Sequence, residues 1–153
     1  MYWNERTGAA LKMAYILHRD QTDKACIPYI FHPYRVADQM EHYRQYNVES
    51  LTVVALLHDV IEDTWVDWEC LNKIAHYYGL TLTDDETRWL DAVTRRDGET
   101  YDDFITRAAQ ETESRIVKFE DVRDNLNRGL LGDPLPTSLV ERYERAYNRL
   151  RGI

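Results

Sequence analysis

Apolar residues recur at intervals of three and four along most of the chain, the period of an α-helix with one buried face. The first such stretch predicts a helix over 4–19, with Ala9, Leu11, Met13, Ala14, Ile16 and Leu17 on a broad apolar side. "DQTDKACIP" breaks the pattern and reads as a loop. In "FHPYRVADQMEHY", Pro33 suits a first helical turn and His32 is expected just before it, near the N-cap. Ser50 is expected to begin a helix that carries the apolar run Val53–Leu57 into "HDVIEDT". Asp67 is placed to cap "WECLNKIAHYY", and Gly79 to end it. Thr83 with Glu86 has capping-box spacing, and Ser138 with Glu141 repeats it before the last helix. Thr100 and Thr112 are expected to start two more helices, and Asp133, Pro134 and Pro136 mark a loop. No segment alternates in the manner of a strand, and no repeat or low-complexity linker divides the chain. The expected fold is all-α: one compact bundle of about seven or eight helices spanning 1–153.

Composition narrows the function classes. The 153 residues suffice for one sizeable core, and an apolar content of 44% is too rich for disorder. No apolar run approaches a membrane span, and the charged start "MYWNERTGAALK" lacks a secretory signal, so no membrane partner is expected. Cys26 and Cys70 stand far apart, as incidental thiols of a reducing cytoplasm would. A net charge of −8 argues against binding an extended nucleic acid backbone, but a small phosphorylated ligand stays compatible with it.

One segment demands a chemical explanation. "VVALLHDVIEDT" sets His58, Asp59, Glu62 and Asp63 directly after five apolar residues. Carboxylates at a helix C-terminus oppose its dipole, so a positive partner is expected nearby. Imidazole together with carboxylate suits Mn²⁺, Fe²⁺, Zn²⁺ or Mg²⁺. Two ligands are too few, so partners must come from elsewhere. His32 is the best second histidine, and "VKFEDVRDNL" offers a carboxylate from a distant helix. There Asp121 and Asn125 share a face, and Asp124 is the runner-up ligand. Each signal taken alone has a plainer reading: a chance His-Asp pair, a packed histidine, a solvated aspartate. His18, His42 and His76 read as surface or packing residues, and Trp3, Trp65, Trp68 and Trp89 as packing.

Taken together, "PYIFHP", "HDVIED" and "KFEDVRDN" give the chain a resemblance to the HD-domain metal-dependent phosphohydrolases. Among these it is similar to the hydrolase domain of the RelA/SpoT alarmone enzymes and to the small alarmone hydrolases. The resemblance covers roughly residues 9–127. It implies that His32, His58, Asp59 and Asp121 hold one divalent ion, commonly Mn²⁺ in the alarmone branch, with Fe²⁺, Zn²⁺, Co²⁺ or Mg²⁺ as alternatives. It implies Glu62 and Asp63 as the catalytic acidic pair. Lys24, Tyr29 and Asn125, with Arg19, fall where relatives contact a small nucleotide, and Lys24 and Arg95 are candidates to hold phosphates. The implied activity is removal of the 3′-pyrophosphate of (p)ppGpp-like alarmones.

The sequence departs from the alarmone pattern in three ways. Phe119-Glu120 stands where the alarmone enzymes often have Leu-Ala, the loop from Arg19 to Pro28 looks shorter than in animal relatives, and no synthetase segment is expected. "AVTRRDGETYDDFI" and "VRDNL" look closer to a short bacterial and phage HD group. Two other functions stay open on the sequence: a phosphatase for another nucleotide or phosphoester, and a non-catalytic nucleotide-binding module. Oligomeric state is not legible.

Overall fold

The computed structural model describes residues 2–130 and 135–152. Among these the chain is all-helical, with eight helices of eight or more residues. In order they are α1 (Glu5–Leu17), α2 (Phe31–Gln39), α3 (Val48–Leu57), the four-residue α4 (Val60–Asp63), α5 (Trp68–Tyr77), α6 (Asp84–Val93), α7 (Tyr101–Ala108), α8 (Thr112–Leu130) and α9 (Thr137–Leu150). A single 3₁₀ turn, Met40–His42, follows α2. The loop expected at Asp133 and Pro134 lies outside the described residues.

Helix α3 is the axis. All but its first two residues are buried, and α1, α2 and α6 pack around it. Eight consecutive buried positions leave no polar face, which is why the apolar run in the sequence is continuous there rather than periodic. Leu51, Leu56 and Leu57 are among the largest buried side chains. Each contributes roughly 1.5–3 kcal/mol by leaving water. Helix α8 crosses beside this core, packing on α2 and α6 on one side and on α9 on the other. A smaller apolar cluster of Ile105, Val122, Ala146 and Leu150 joins α7, α8 and α9.

Several helix ends follow the sequence signals. Asp67, Thr83 and Thr100 each accept a backbone N–H of the following turn, and Glu86 completes the capping box with Thr83. Gly79 takes φ +81 just past α5, where Leu80 N–H reaches Ala75 O at 2.9 Å and Gly79 N–H reaches His76 O at 3.0 Å. That paired arrangement needs a left-handed residue, so glycine stands there.

Other expectations need correction. Asn47, not Ser50, caps α3, because its side chain accepts Ser50 N–H and so moves the start back to Val48. Asn4 caps α1, which ends at Leu17. Pro136, not Ser138, precedes α9, and no side chain caps it. His32 and Pro33 are the second and third residues of α2, so His32 lies inside the first turn. Trp89 is packed, but Trp3 and Trp65 are 51% and 74% exposed and Trp68 is exposed as well. These three indoles belong to short irregular stretches and helix starts, where helical periodicity says nothing about burial.

The break that matters most falls inside "LLHDVIED". The chain leaves α3 at Leu57 and resumes at Val60. His58 caps α3 and Asp59 precedes α4. Both keep right-handed backbone angles, and their side chains reach His32 of α2 and Asp121 of α8.

Candidate metal centre

Three separated segments meet here. α2 brings His32, the α3–α4 break brings His58 and Asp59, and α8 brings Asp121. His32 Nε2 lies 3.1 Å from Asp121 Oδ1 and 3.4 Å from Asp59 Oδ2. His58 Nε2 lies 3.1 Å from Asp59 Oδ2 and 3.7 Å from Asp121 Oδ1. His32, His58 and Asp121 each offer one ligand atom within 4.8 Å of the others, and all three are buried. A group of this kind can hold a metal ion.

The far sides of the rings are fixed. His58 Nδ1–H donates to Ala55 O at 2.7 Å. His32 Nδ1–H donates to Asp124 Oδ2 at 2.7 Å, and Arg35 anchors Asp124 through Nε at 2.7 Å and Nη2 at 2.9 Å. Both histidines thus present Nε2 to the same point, the arrangement by which outer partners orient metal-binding imidazoles. Asp124, the runner-up ligand from sequence, faces the outer edge of His32 and not that point. His58 Nε2 is buried without a hydrogen-bond partner. A buried orphan nitrogen costs free energy unless something fills its lone pair. The donor set, two imidazole nitrogens with carboxylate oxygens, fits a divalent cation.

Electrostatics point the same way. Burial works to raise the Asp59 carboxyl, but His58 and His32 outweigh it and hold it below the usual carboxylate range. Burial opposes charge on Asp121 too, yet Lys118 and both histidines keep its carboxyl well below that range. Burial works to lower His32 and His58, but the facing carboxylates win and raise both. The pocket therefore prefers positive charge, as protons on imidazole or as a cation that displaces them.

Glu62 and Asp63 follow one turn on. Loss of hydration raises both carboxyls, and neighbouring Asp59 adds to the effect. Glu62 Oε1 accepts the Arg95 backbone N–H at 2.7 Å. Tyr29 donates its hydroxyl to Asp59 Oδ2 at 2.7 Å, and burial beside Asp59 and Asp63 raises its pKa far above the ordinary phenol value. Asn125 donates to Asp121 Oδ1 at 2.6 Å. These residues, without Asp63, line a cavity of about 180 Å³ together with His32, Arg95 and Lys118.

The structure does not bring every sequence candidate to this cavity. Lys24 is exposed on the loop before α2. Arg19 lies against Asp20 and lines a separate hollow beside Trp65, Lys73 and Tyr77. The Arg95 guanidinium donates to Glu99 O at 3.0 and 2.7 Å.

From sequence, Lys118 is one of several basic residues that could pair with Asp121, and Tyr101, Arg142 and Tyr143 have no assigned role; all four line the cavity. Lys118 is buried, with Nζ 2.6 Å from Asp121 Oδ2 and 4.5 Å from the Phe104 ring centroid. Its position three residues before Asp121 was a usable signal, since i,i+3 residues share a helix face. Arg142 and Tyr143 arrive from α9, and nothing local in the sequence marks them. Glu120, where the alarmone pattern has an apolar residue, is buried and accepts the Tyr43 hydroxyl at 2.7 Å.

No protein-family model matches the chain, and no curated protein matches it. Among solved structures, it matches a metazoan ortholog of SpoT that hydrolyses ppGpp and plays a role in starvation responses. The TM-score is 0.75 at 24% identity, over 99% of this chain and 89% of that one. The two share an all-helical fold. No helix among the described residues is long and apolar enough to cross a membrane.

Proposed function

We propose that this chain, as one catalytic domain, is a metal-dependent phosphohydrolase that removes the 3′-pyrophosphate of (p)ppGpp-like alarmones. The observation that carries the reading is the convergence of two outward-anchored imidazoles, with the unpartnered His58 Nε2, on Asp121 and Asp59. The shared fold with a ppGpp-hydrolysing protein supports the substrate class.

His32 and His58 would bind the ion through Nε2, and Asp59 and Asp121 through one carboxylate oxygen each. Mn²⁺ is the proposed ion, since Mn²⁺ accepts mixed nitrogen and oxygen ligands. Once bound, a divalent ion lowers the pKa of water and neutralises charge on phosphoryl oxygens. Glu62 and Asp63 then have a defined task. Their raised carboxyls sit closer to neutrality, where a general base works best, and would orient the attacking water and take its proton. The water oxygen bonds to the phosphorus, the bond from phosphorus to the 3′ oxygen breaks, and that oxygen leaves with a proton. The products are pyrophosphate and GDP or GTP.

Tyr29, a hydrogen-bond donor to Asp59, would hold that carboxylate in place or meet the nucleotide. Lys118 would neutralise the phosphate charge that gathers beside Asp121. Asn125 and, from the rim, Arg95 remain proposed nucleotide contacts, while Arg19 and Lys24, which do not line the cavity, would meet a nucleotide only outside it. Two thiols without a bridge suit a cytoplasmic enzyme.

Purified protein with Mn²⁺ and ppGpp is expected to release pyrophosphate. A folded, metal-loaded sample that leaves ppGpp intact would reject the substrate, and a panel of nucleotides would then show whether another phosphoester is cut.

A further inference from the structure

The loop between α6 and α7, residues 94–100, touches the proposed general base through one bond: Arg95 N–H to Glu62 Oε1. The loop is not held by the site. It is held from behind by Arg107 on α7, whose hydrogen bonds run to Asp91, Thr94 and Glu99. Arg107 Nη1 donates to Asp91 O at 2.6 Å, and Nη2 donates to Thr94 O at 2.8 Å. Nε and Nη2 also grip the Glu99 carboxylate at 2.8 and 2.7 Å. Glu99 in turn accepts Arg96 N–H at 3.0 Å, while its carbonyl takes the Arg95 guanidinium. The fork thus fixes both ends of the loop, Thr94 and Glu99, on either side of Arg95.

Arg107 and Glu99 keep only 15% and 13% of their side-chain surface exposed. The guanidinium also lies over the Phe104 ring, 5.6 Å from its centroid. A planar fork with five donors satisfies two carbonyls and a carboxylate at once, which a lysine cannot do. Gly98, at φ +74, lets the chain turn tightly enough for Glu99 to fold back under Arg95.

We infer that Arg107 is a positioning residue for Glu62, acting through Glu99, Thr94 and the Arg95 backbone N–H. The inference rests on the proposed role of Glu62 as general base. The strap itself is a matter of geometry and can be tested apart from activity.

The Arg95 N–H gives the readout. An amide that donates to a carboxylate resonates downfield and exchanges slowly with solvent. In ¹⁵N NMR of the Zn²⁺-loaded protein, Arg107→Gln is expected to move the Arg95 amide upfield and speed its exchange at least about tenfold, since the local bond is lost. Glu62→Ala should do the same to that amide without disturbing Glu99. In turnover, Arg107→Gln should lower kcat about 10- to 100-fold, the scale expected for a misplaced catalytic group, with KM and metal content nearly unchanged. Arg107→Lys should recover little of the loss. If Arg107→Gln fails to fold, Glu99→Gln, which keeps the carbonyl bonds, carries the same test with a smaller shift. An Arg95 amide unmoved in the folded variants would overturn the inference. Wild-type protein inactive on every phosphoester, with the amide shifting as described, would instead retire the proposed function and leave the strap standing.

Discussion

Two polar clusters, one half-buried and one buried, sit at opposite ends of α3, and they are built on different principles. At its N-terminal end Arg6 donates to Glu86 at 2.7 and 2.9 Å and to Glu49 at 2.6 Å. Glu86, fully buried, also accepts Thr83 N–H at 2.9 Å. Asn4 joins through Glu49. One guanidinium serves two carboxylates, and it also donates to Thr81 O at 3.1 Å. At the C-terminal end, Asp59 and Asp121 face imidazoles whose own nitrogens crowd together, His58 Nε2 has no hydrogen bond, and Glu62 and Asp63 are pushed up chiefly by burial, with Asp59 adding to it. The first cluster is closed on itself and locks α1 to α6. The second is arranged around a point that no side chain fills. A buried network left partly unsatisfied is costly, which supports the proposed cation as the group that completes it.

Asp121→Ala should draw the sharpest line between the two. It removes a ligand oxygen and the partner of Lys118, so metal retention should fall below detection by elemental analysis and kcat by more than about 10³-fold. Equal metal content in the variant and wild type would refute Asp121 as a ligand. Glu62→Gln should keep the metal and still lose about 10²- to 10⁴-fold in kcat, the range of a general base, with KM little altered.

The closed cluster should respond in the opposite sense. Arg6→Met leaves Glu86 buried without its partner, and breaking such a pair costs about 3 kcal/mol. Chemical denaturation should register the loss while metal binding stays intact. A variant of unchanged stability would mean that the ion pair is no lock.

pH separates the clusters further. His32 and His58 are raised in the folded, metal-free chain, so their contribution to stability is full below the unfolded value of about 6.5 and fades as pH rises through the folded values. Metal competes for the same lone pairs, so its affinity should weaken as pH falls. Thermal melts should therefore show the metal-free protein losing stability as pH rises from about 6.5 through the raised folded values, and the metal-loaded protein losing its metal-dependent increment as pH falls through those same folded values. Parallel profiles would contradict the proposed ligand set. The smallest effect belongs to Thr83→Ala, which deletes the cap of α6 and should cost about 1 kcal/mol, or roughly 2–4 °C in melting temperature, with no effect at the metal centre.

Much of this was legible in the sequence, and the reasons are local. Periodic apolar residues define α5, α6 and α7, and Asp67, Thr83 and Thr100 fix their starts because a cap needs only the residues beside it. His32, His58, Asp59 and Asp121 could be proposed together because an ion needs ligands of known chemistry. The break between Leu57 and Val60 was invisible, because no glycine or proline marks it and His58 and Asp59 both keep right-handed helical backbone angles. Arg107 gave no signal either. Its partners are backbone carbonyls and Glu99, and a carbonyl has no sequence identity. The roles given to Arg19 and Lys24 came from resemblance alone, in a loop shortened relative to the alarmone pattern, and the structure sets both apart from the cavity.

Anomalous diffraction from crystals grown with Mn²⁺ addresses the metal centre most directly. One peak per chain should stand about 2.0–2.3 Å from His32 Nε2, His58 Nε2 and one oxygen each of Asp59 and Asp121. A fully folded protein with no peak there, or with its peak on Asp124 or on Glu62 and Asp63 alone, would contradict the proposed centre and the hydrolase built on it.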